Sequence, residues 1–77
     1  MPDARLPRIT ARDLVRALKR GGWVTVRTTG SHIHLRHPER GALVTVPGHV
    51  GETIGPGLLK SILDQAGLAP DELKELL

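Results

Sequence analysis

The sequence predicts a small α+β domain in which a helix, three antiparallel strands and a second helix follow each other in the order α-β-β-β-α. Two segments, residues 11–18 and 59–66, carry apolar side chains at the i, i+3, i+4, i+7 spacing of an amphipathic helix. Between them lie three short segments of β-branched or alternating apolar residues. Because short turns join antiparallel neighbours, we predict a three-stranded sheet with both helices on one face and the other face open.

The first helix has recognisable start and stop signals. Thr10, followed three residues later by Asp13, resembles a capping box in which the threonine side chain accepts a backbone hydrogen bond. The pair Gly21-Gly22 ends the helix, because glycine readily adopts the backbone conformations found there. Residues 1–9 contain two prolines and show no period, so we predict a flexible N-terminal arm followed by a single domain over residues 10–77.

Three strands are predicted between the two helices. The first covers residues 23–29, the second follows a turn at Gly30-Ser31, and the third covers residues 43–46 after a turn at 38–41. Pro47 closes the third strand, since proline cannot donate a backbone hydrogen bond to a neighbouring strand.

The second helix follows a flexible loop without regular period over residues 48–55. Pro56 suits the first turn of a helix. Gly67 is placed to end it, with Leu68 folding back as in a Schellman motif. Residues 70–72 begin a short C-terminal helix whose first turn carries acidic side chains, which the helix dipole favours.

Composition excludes several classes of protein. The 77 residues include no cysteine, so neither a disulfide nor a cysteine zinc site can form. The first residues lack the apolar run of a signal peptide, and no stretch has the length of a membrane span. We therefore expect a cytoplasmic protein with no membrane partner.

Positive charge is concentrated in the first part of the chain. Residues 1–49 carry nine Arg and Lys against three Asp and Glu, whereas residues 50–77 carry two against five. This asymmetry favours a polyanionic partner. The competing explanation is that basic side chains on helix surfaces serve solubility alone.

The second predicted strand carries the strongest indication of chemistry. Side chains of a strand alternate between faces, so Ile33 and Leu35 enter the core while His32, His34 and Arg36 share the open face. Histidine exchanges protons near neutral pH, and the arginine fork suits a phosphate. The pattern is that of a site acting on a phosphodiester. The alternative is an ordinary half-exposed strand with polar side chains on its outer face.

The order of local motifs resembles the HicA family of toxins, which are small mRNA interferases with a double-stranded-RNA-binding-domain-like fold, each neutralised by a HicB antitoxin. The resemblance covers about residues 10–68. The matching pieces are Gly22-Trp23, Thr29-Gly30-Ser31-His32, Arg36-His37-Pro38, Val44-Thr45-Val46-Pro47 with His49, Pro56-Gly57, Leu59-Lys60-Ser61-Ile62-Leu63 and Gln65-Ala66-Gly67-Leu68. The family often carries a second histidine directly after His32, where this chain has Ile33.

The resemblance implies a catalytic role for His32, in metal-independent cleavage of single-stranded mRNA that needs no cofactor. In physical terms, a neutral imidazole removes the proton from a ribose 2′-OH, which attacks the adjacent phosphorus. Cations stabilise the charge that develops on the phosphate oxygens. The RNA-binding residues we expect around His32 are Gly30, Ser31, His34, Arg36, His49 and Lys60. Either His34 or His49 is a candidate for the acid that protonates the leaving group.

The resemblance also implies two partners, mRNA and a HicB-type antitoxin protein, and no direct DNA binding by this chain alone. We expect the antitoxin to cover the open sheet face with an acidic surface. An alternative to the active toxin is an inactive relative that serves only as a protein-interaction unit.

Two further alternatives are a non-catalytic RNA-binding module and a metal site. The α-β-β-β-α order is also that of double-stranded-RNA-binding domains, but those carry a lysine-rich cluster where this chain has Lys60 alone. The spacing His32-x-His34-x-x-His37, together with His49, could hold zinc. His37, however, has the opposite strand parity, and we expect it to point away.

Overall fold

A three-stranded antiparallel sheet and three helices form the α+β arrangement that the sequence predicts. The computed structural model describes residues 6, 8–48 and 51–77. The elements in chain order are β1 (Ile9–Thr10), α1 (Ala11–Arg20), β2 (Val24–Thr29), β3 (His32–Arg36), β4 (Leu43–Pro47), β5 (Thr53–Ile54), α2 (Pro56–Ala66) and α3 (Pro70–Leu76). Strands β2, β3 and β4 form the main sheet in that order, while β1 pairs with β5 separately. The predicted α-β-β-β-α order and the short C-terminal helix are confirmed.

Helix α1 begins and ends where its sequence signals place it. The Asp13 backbone N–H donates to Thr10 Oγ1 at 3.2 Å, so Thr10 is the N-cap. At the other end the Trp23 N–H donates to the Leu18 carbonyl at 3.0 Å, across a turn in which Gly22 has a φ of +98°. This turn directs the chain from the helix into β2.

Helix α2 ends in the predicted Schellman motif. Gly67 adopts the left-handed conformation with a φ of 70°. The Leu68 N–H donates to the Leu63 carbonyl at 2.9 Å, and the Gly67 N–H donates to the Asp64 backbone carbonyl at 3.2 Å. None of the helices in the described part of the chain is long and apolar enough to cross a membrane.

One hydrophobic core fills the space between the sheet and the helices. Helices α1 and α2 both contact β4 and cover the same face of the sheet, and α3 packs against α1. The sheet contributes Leu35, Val44 and Val46, each with no exposed surface. The helices and connections contribute Ile9, Ala11, Leu14, Val15, Ala17, Leu18, Trp23, Ile54, Leu59, Ile62, Leu63, Ala66, Leu68 and Leu73.

Strands β1 and β5 are elements that the sequence analysis does not contain. Ile9 pairs with Ile54, both are buried, and the Ala11 N–H donates to the Glu52 carbonyl at 3.0 Å. This pairing joins the start of α1 to the segment that enters α2. Most of the predicted N-terminal arm, residues 1–5 and 7, lies outside the described residues.

Candidate active site

The open face of the sheet is the side turned away from α1 and α2. Register places on it three residues from each strand: Val24, Arg27, Thr29, His32, His34, Arg36, Leu43, Thr45 and Pro47. Ile33 is half-buried against the core and Leu35 is fully buried, so the predicted division of β3 between core and open face is confirmed.

A two-residue turn joins β2 to β3 and fixes what lies opposite His32. Gly30, the first residue of the turn, has a φ of +55°. A positive φ at this position is what a type II′ hairpin turn needs, and glycine adopts it without steric cost. The turn pairs Thr29 with His32. On the other side of β3, His32 pairs with Pro47 of β4.

A β-bulge in β2 brings two further polar side chains to the open face. The register shifts between Thr25, which pairs with Leu35, and Arg27, which pairs with His34. Val26 is the extra residue. Thr25 and Arg27, although two residues apart, therefore point to opposite faces of the sheet. Without the bulge, alternation from the buried Trp23 would turn Arg27 towards the helices.

His32 is exposed. Within the described residues no hydrogen bond or ring contact involves its side chain. It stands directly beside the turn, between Thr29 on one neighbouring strand and Pro47 on the other. No described residue therefore engages either ring nitrogen of His32.

His34 is held by two threonine hydroxyls. Its Nε2 lies 2.6 Å from Thr29 Oγ1, and its Nδ1 lies 3.0 Å from Thr45 Oγ1. The side chain is half-buried between β2 and β4. A hydroxyl can both donate and accept, so these contacts suit the neutral and the protonated ring alike.

His37 has a different environment, at the junction of α1 and the sheet. The Glu39 N–H donates to His37 Nδ1 at 3.1 Å, which leaves Nε2–H to donate to the Gly21 carbonyl at 3.1 Å. The ring meets Trp23 edge to face, with centroids 5.5 Å apart. The expectation that His37 points away from His32 and His34 is confirmed. Among the described residues, His, Asp and Glu form no group of three that could hold a metal.

Two arginines give the open face its positive charge. Arg27 and Arg36 are both exposed, and Arg27 is the cross-strand partner of His34. Lys60 belongs to α2, in the helical layer that covers the other face of the sheet. His49, the remaining predicted contact, lies outside the described residues.

The end of the open face away from the hairpin turn carries exposed apolar side chains beside Arg36. Val24 and Leu43 flank Arg36 from either side and are 54% and 44% exposed. The bulged Val26 is 52% exposed. Contiguous exposed apolar side chains are a common feature of interaction surfaces.

Residues 11–68, from the first residue of α1 to the residue after the Schellman glycine, match a family described as the HicA toxin of bacterial toxin-antitoxin. The chain belongs to the HicA toxin family. The match includes the whole open face and both helices behind it, whereas α3 lies beyond it. No curated protein matches this sequence. As a HicA toxin, the chain is the toxin of a toxin–antitoxin system, and its family implies a HicB-type antitoxin as its partner.

Sequence reasoning missed three polar residues of the site in this HicA toxin, namely Arg27, Thr29 and Thr45. Counting backwards from the turn, rather than forwards from Trp23, places Thr29 opposite His32 and Arg27 opposite His34. That signal was present in the sequence, because a two-residue turn sets the register of both strands. The contact of Thr45 with His34 follows from the pairing of β3 with β4, which the longer connection leaves undetermined.

Proposed function

We propose that this HicA toxin is a metal-independent endoribonuclease that cleaves mRNA, with His32 as its catalytic base. The observation that carries the proposal is the contrast between the three described histidines. His34 and His37 have both ring nitrogens engaged, whereas His32 is exposed and engaged by no described residue. A general base needs a free nitrogen within reach of the proton that it removes.

The reaction needs a base and a positive charge near the scissile phosphate. Neutral His32 takes the proton of a ribose 2′-OH, and the 2′-oxygen attacks the adjacent phosphorus to form a 2′,3′-cyclic phosphate. The negative charge that grows on the phosphate oxygens is stabilised by a nearby cation. All these groups are side chains of the toxin, so the reaction proposed here uses no metal ion.

Sheet geometry indicates which arginine serves the scissile phosphate. Arg36 is four residues from His32 along β3, which at the rise of a strand is about 13 Å. Arg27 is the diagonal cross-strand neighbour of His32, a relation that separates residues by about 7–8 Å. We therefore assign Arg27 to the scissile phosphate and Arg36 to a neighbouring phosphate of the same RNA molecule.

The decisive experiment compares the parent toxin with His32→Ala on single-stranded RNA. His32 is exposed, and its side chain has no hydrogen bond or ring contact with a described residue. The free energy of unfolding of the variant should therefore lie within about 0.5 kcal/mol of the parental value, as is usual for surface substitutions. Cleavage should be lost, while parent products carry 2′,3′-cyclic phosphate ends. A variant that cleaves at the parental rate would remove His32 from the mechanism.

The same open face is our proposed docking surface for the HicB-type antitoxin. It combines the exposed Val24 and Leu43 with the positive charge of Arg27 and Arg36, so the complementary surface carries both apolar and acidic side chains. A protein seated there covers His32 and blocks RNA. In NMR the His32 ring signals should shift or broaden on complex formation, and an inhibited complex with His32 still exposed to solvent would contradict this mode of inhibition.

A further inference from the structure

The cleavage reaction also needs a second proton transfer, to the 5′-oxygen that leaves. His32, which takes up the 2′-OH proton, does not supply this second proton. An acid near His32 must supply this proton, and among the described residues His34 is the other imidazole on the open face. His34 is half-buried, however, and its Nε2 is already joined to Thr29 Oγ1 at 2.6 Å. The ring therefore reaches a substrate through that hydroxyl rather than directly.

Thr29 stands between the two histidines. Its backbone pairs with His32 across the hairpin, its side chain bonds to His34, and the residue is exposed. Directly opposite residues of an antiparallel pair have Cβ atoms about 4.5–5.5 Å apart. A phosphate whose ribose 2′-OH meets His32 thus lies beside the Thr29 hydroxyl.

We propose that Thr29 is a catalytic residue, which passes a proton from the His34 imidazolium to the leaving 5′-oxygen, while Thr45 positions the ring. The inference rests on the endoribonuclease function proposed above. As the P–O5′ bond breaks, its electron pair stays on O5′, which takes the hydroxyl proton of Thr29. Thr29 Oγ1 takes the Nε2 proton of His34 in the same step.

The proton gained by His32 balances the proton lost by His34. His32 gains the 2′-OH proton and His34 ends neutral, so each ring exchanges one proton with solvent before the next cycle. The products are a 2′,3′-cyclic phosphate and a 5′-hydroxyl. No oxidant, reductant or metal takes part in any of these steps.

The two threonine contacts keep the His34 ring hydrogen-bonded before and after the transfer. In the imidazolium both N–H groups donate, to Thr29 Oγ1 and to Thr45 Oγ1. After the transfer Nε2 accepts from the Thr29 hydroxyl, and Nδ1–H still donates to Thr45. Because no partner has to be exchanged, the arrangement is preorganised for the transfer.

The test uses Thr29→Val, which removes the hydroxyl while keeping the shape, and Thr29→Ser, which keeps the hydroxyl. Each is assayed on an ordinary RNA and on the same RNA with sulfur in place of the 5′-oxygen at the cleaved linkage. A thiolate leaves without protonation, so that substrate needs no acid. Loss of a general acid lowers the rate by about 10²–10⁴-fold, which we expect for Thr29→Val on the ordinary RNA.

On the sulfur-bridged RNA, Thr29→Val should cleave within a few-fold of the parent, whereas His32→Ala should fail on both substrates. Thr29→Ser should keep most of the activity on both. The matched control is Thr28→Val on the same strand, since Thr28 pairs with Ile33 and points away from the open face. It should leave both rates unchanged.

Two outcomes overturn the relay and leave the proposed function standing. Parental cleavage of the ordinary RNA by Thr29→Val would show that no proton passes through the hydroxyl. Equal losses on both substrates would reduce Thr29 to an RNA-binding or supporting residue. An active His32→Ala variant, or a parent toxin that cleaves neither RNA, would instead refute the proposed function itself.

Discussion

Replacement of Gly22 by alanine should destabilise this toxin more than replacement of any other glycine that follows a helix or a strand. Gly22 has a φ of +98°, a conformation that residues with a Cβ rarely adopt. An added Cβ would also lie 2.7 Å from His37 Nε2, closer than two such atoms can approach. The ring of His37 would have to move.

Three contributions to the free energy of unfolding are then lost together. Positive φ at a non-glycine residue costs about 1–3 kcal/mol. Movement of His37 breaks its hydrogen bond to the Gly21 carbonyl, a loss of about 1 kcal/mol. The edge-to-face contact with Trp23 contributes about 0.5–1.5 kcal/mol. We expect a total loss of about 4 kcal/mol, which for a domain of this size lowers Tm by about 16 °C or more.

Two other glycines separate these contributions. Gly30 has a φ of +55° and open space where a Cβ would be, so Gly30→Ala carries the backbone cost alone, about 1–2 kcal/mol. Gly57 lies in the first turn of α2, with no positive φ and no atom within 4 Å of the added Cβ. Gly57→Ala should be neutral or stabilising by up to about 1 kcal/mol, because alanine has the higher helix propensity.

The measurement is thermal or urea unfolding of the three variants, of His37→Ala, and of Gly22→Ala combined with His37→Ala. Since the ring is absent in the double variant, Gly22→Ala should cost less there than in the parent, and the difference is the coupling between the two residues. Equal losses for Gly22→Ala and Gly30→Ala would refute the reasoning, because His37 would then contribute nothing.

Three further predictions concern the open face. Leu43→Glu should weaken the antitoxin complex at least ten-fold in an affinity titration, whereas Leu58→Glu, equally exposed at 44% but on α2, should not; equal effects would place the antitoxin elsewhere. Arg27→Ala should slow RNA cleavage more than Arg12→Ala, which removes the same charge from the exposed side of α1. Equal cleavage rates for the two variants would contradict the assignment of Arg27 to the scissile phosphate. Cleavage should persist in EDTA, and a loss that added metal restores would revive the zinc hypothesis.

The helices and caps could be predicted because their signals are local. Thr10 and Gly67 act on backbone groups within a few residues of themselves, and the apolar period of α1 and α2 already defines the buried face. The division of β3 into core and open sides follows in the same way from simple alternation. Each of these features needs only a short stretch of sequence.

The remaining features depend on contacts between distant segments. β1 and β5 have two residues each, too few to show a period, and they form because Ile9 and Ile54 are brought together by the core. The bulge at Val26 reconciles a register set by the turn with a register set by burial of Trp23. Neither requirement alone reveals the extra residue.

The environment of each histidine is also a tertiary property. His34 is held by threonines five residues before it and eleven residues after it, and His37 contacts the end of α1 sixteen residues earlier in the chain. Alternation along β3 separates His37 from His32 and His34, but it does not tell His32 and His34 apart. That His34 is bridged by two threonines while no described residue engages the His32 ring is visible only after the strands are paired.

The bulge at Val26 divides β2 into two halves that natural selection can alter independently. The half before it, which follows the buried Trp23 and includes Thr25, is constrained by the core, whereas the half after it takes its orientation from the hairpin turn. Under the proposed function, substitutions at Arg27 can therefore change how the toxin holds the RNA backbone without changing which side chains enter the core. Deletion of the single residue Val26 would join the two halves again, and diversity in this strand should accumulate as replacements rather than as changes of length.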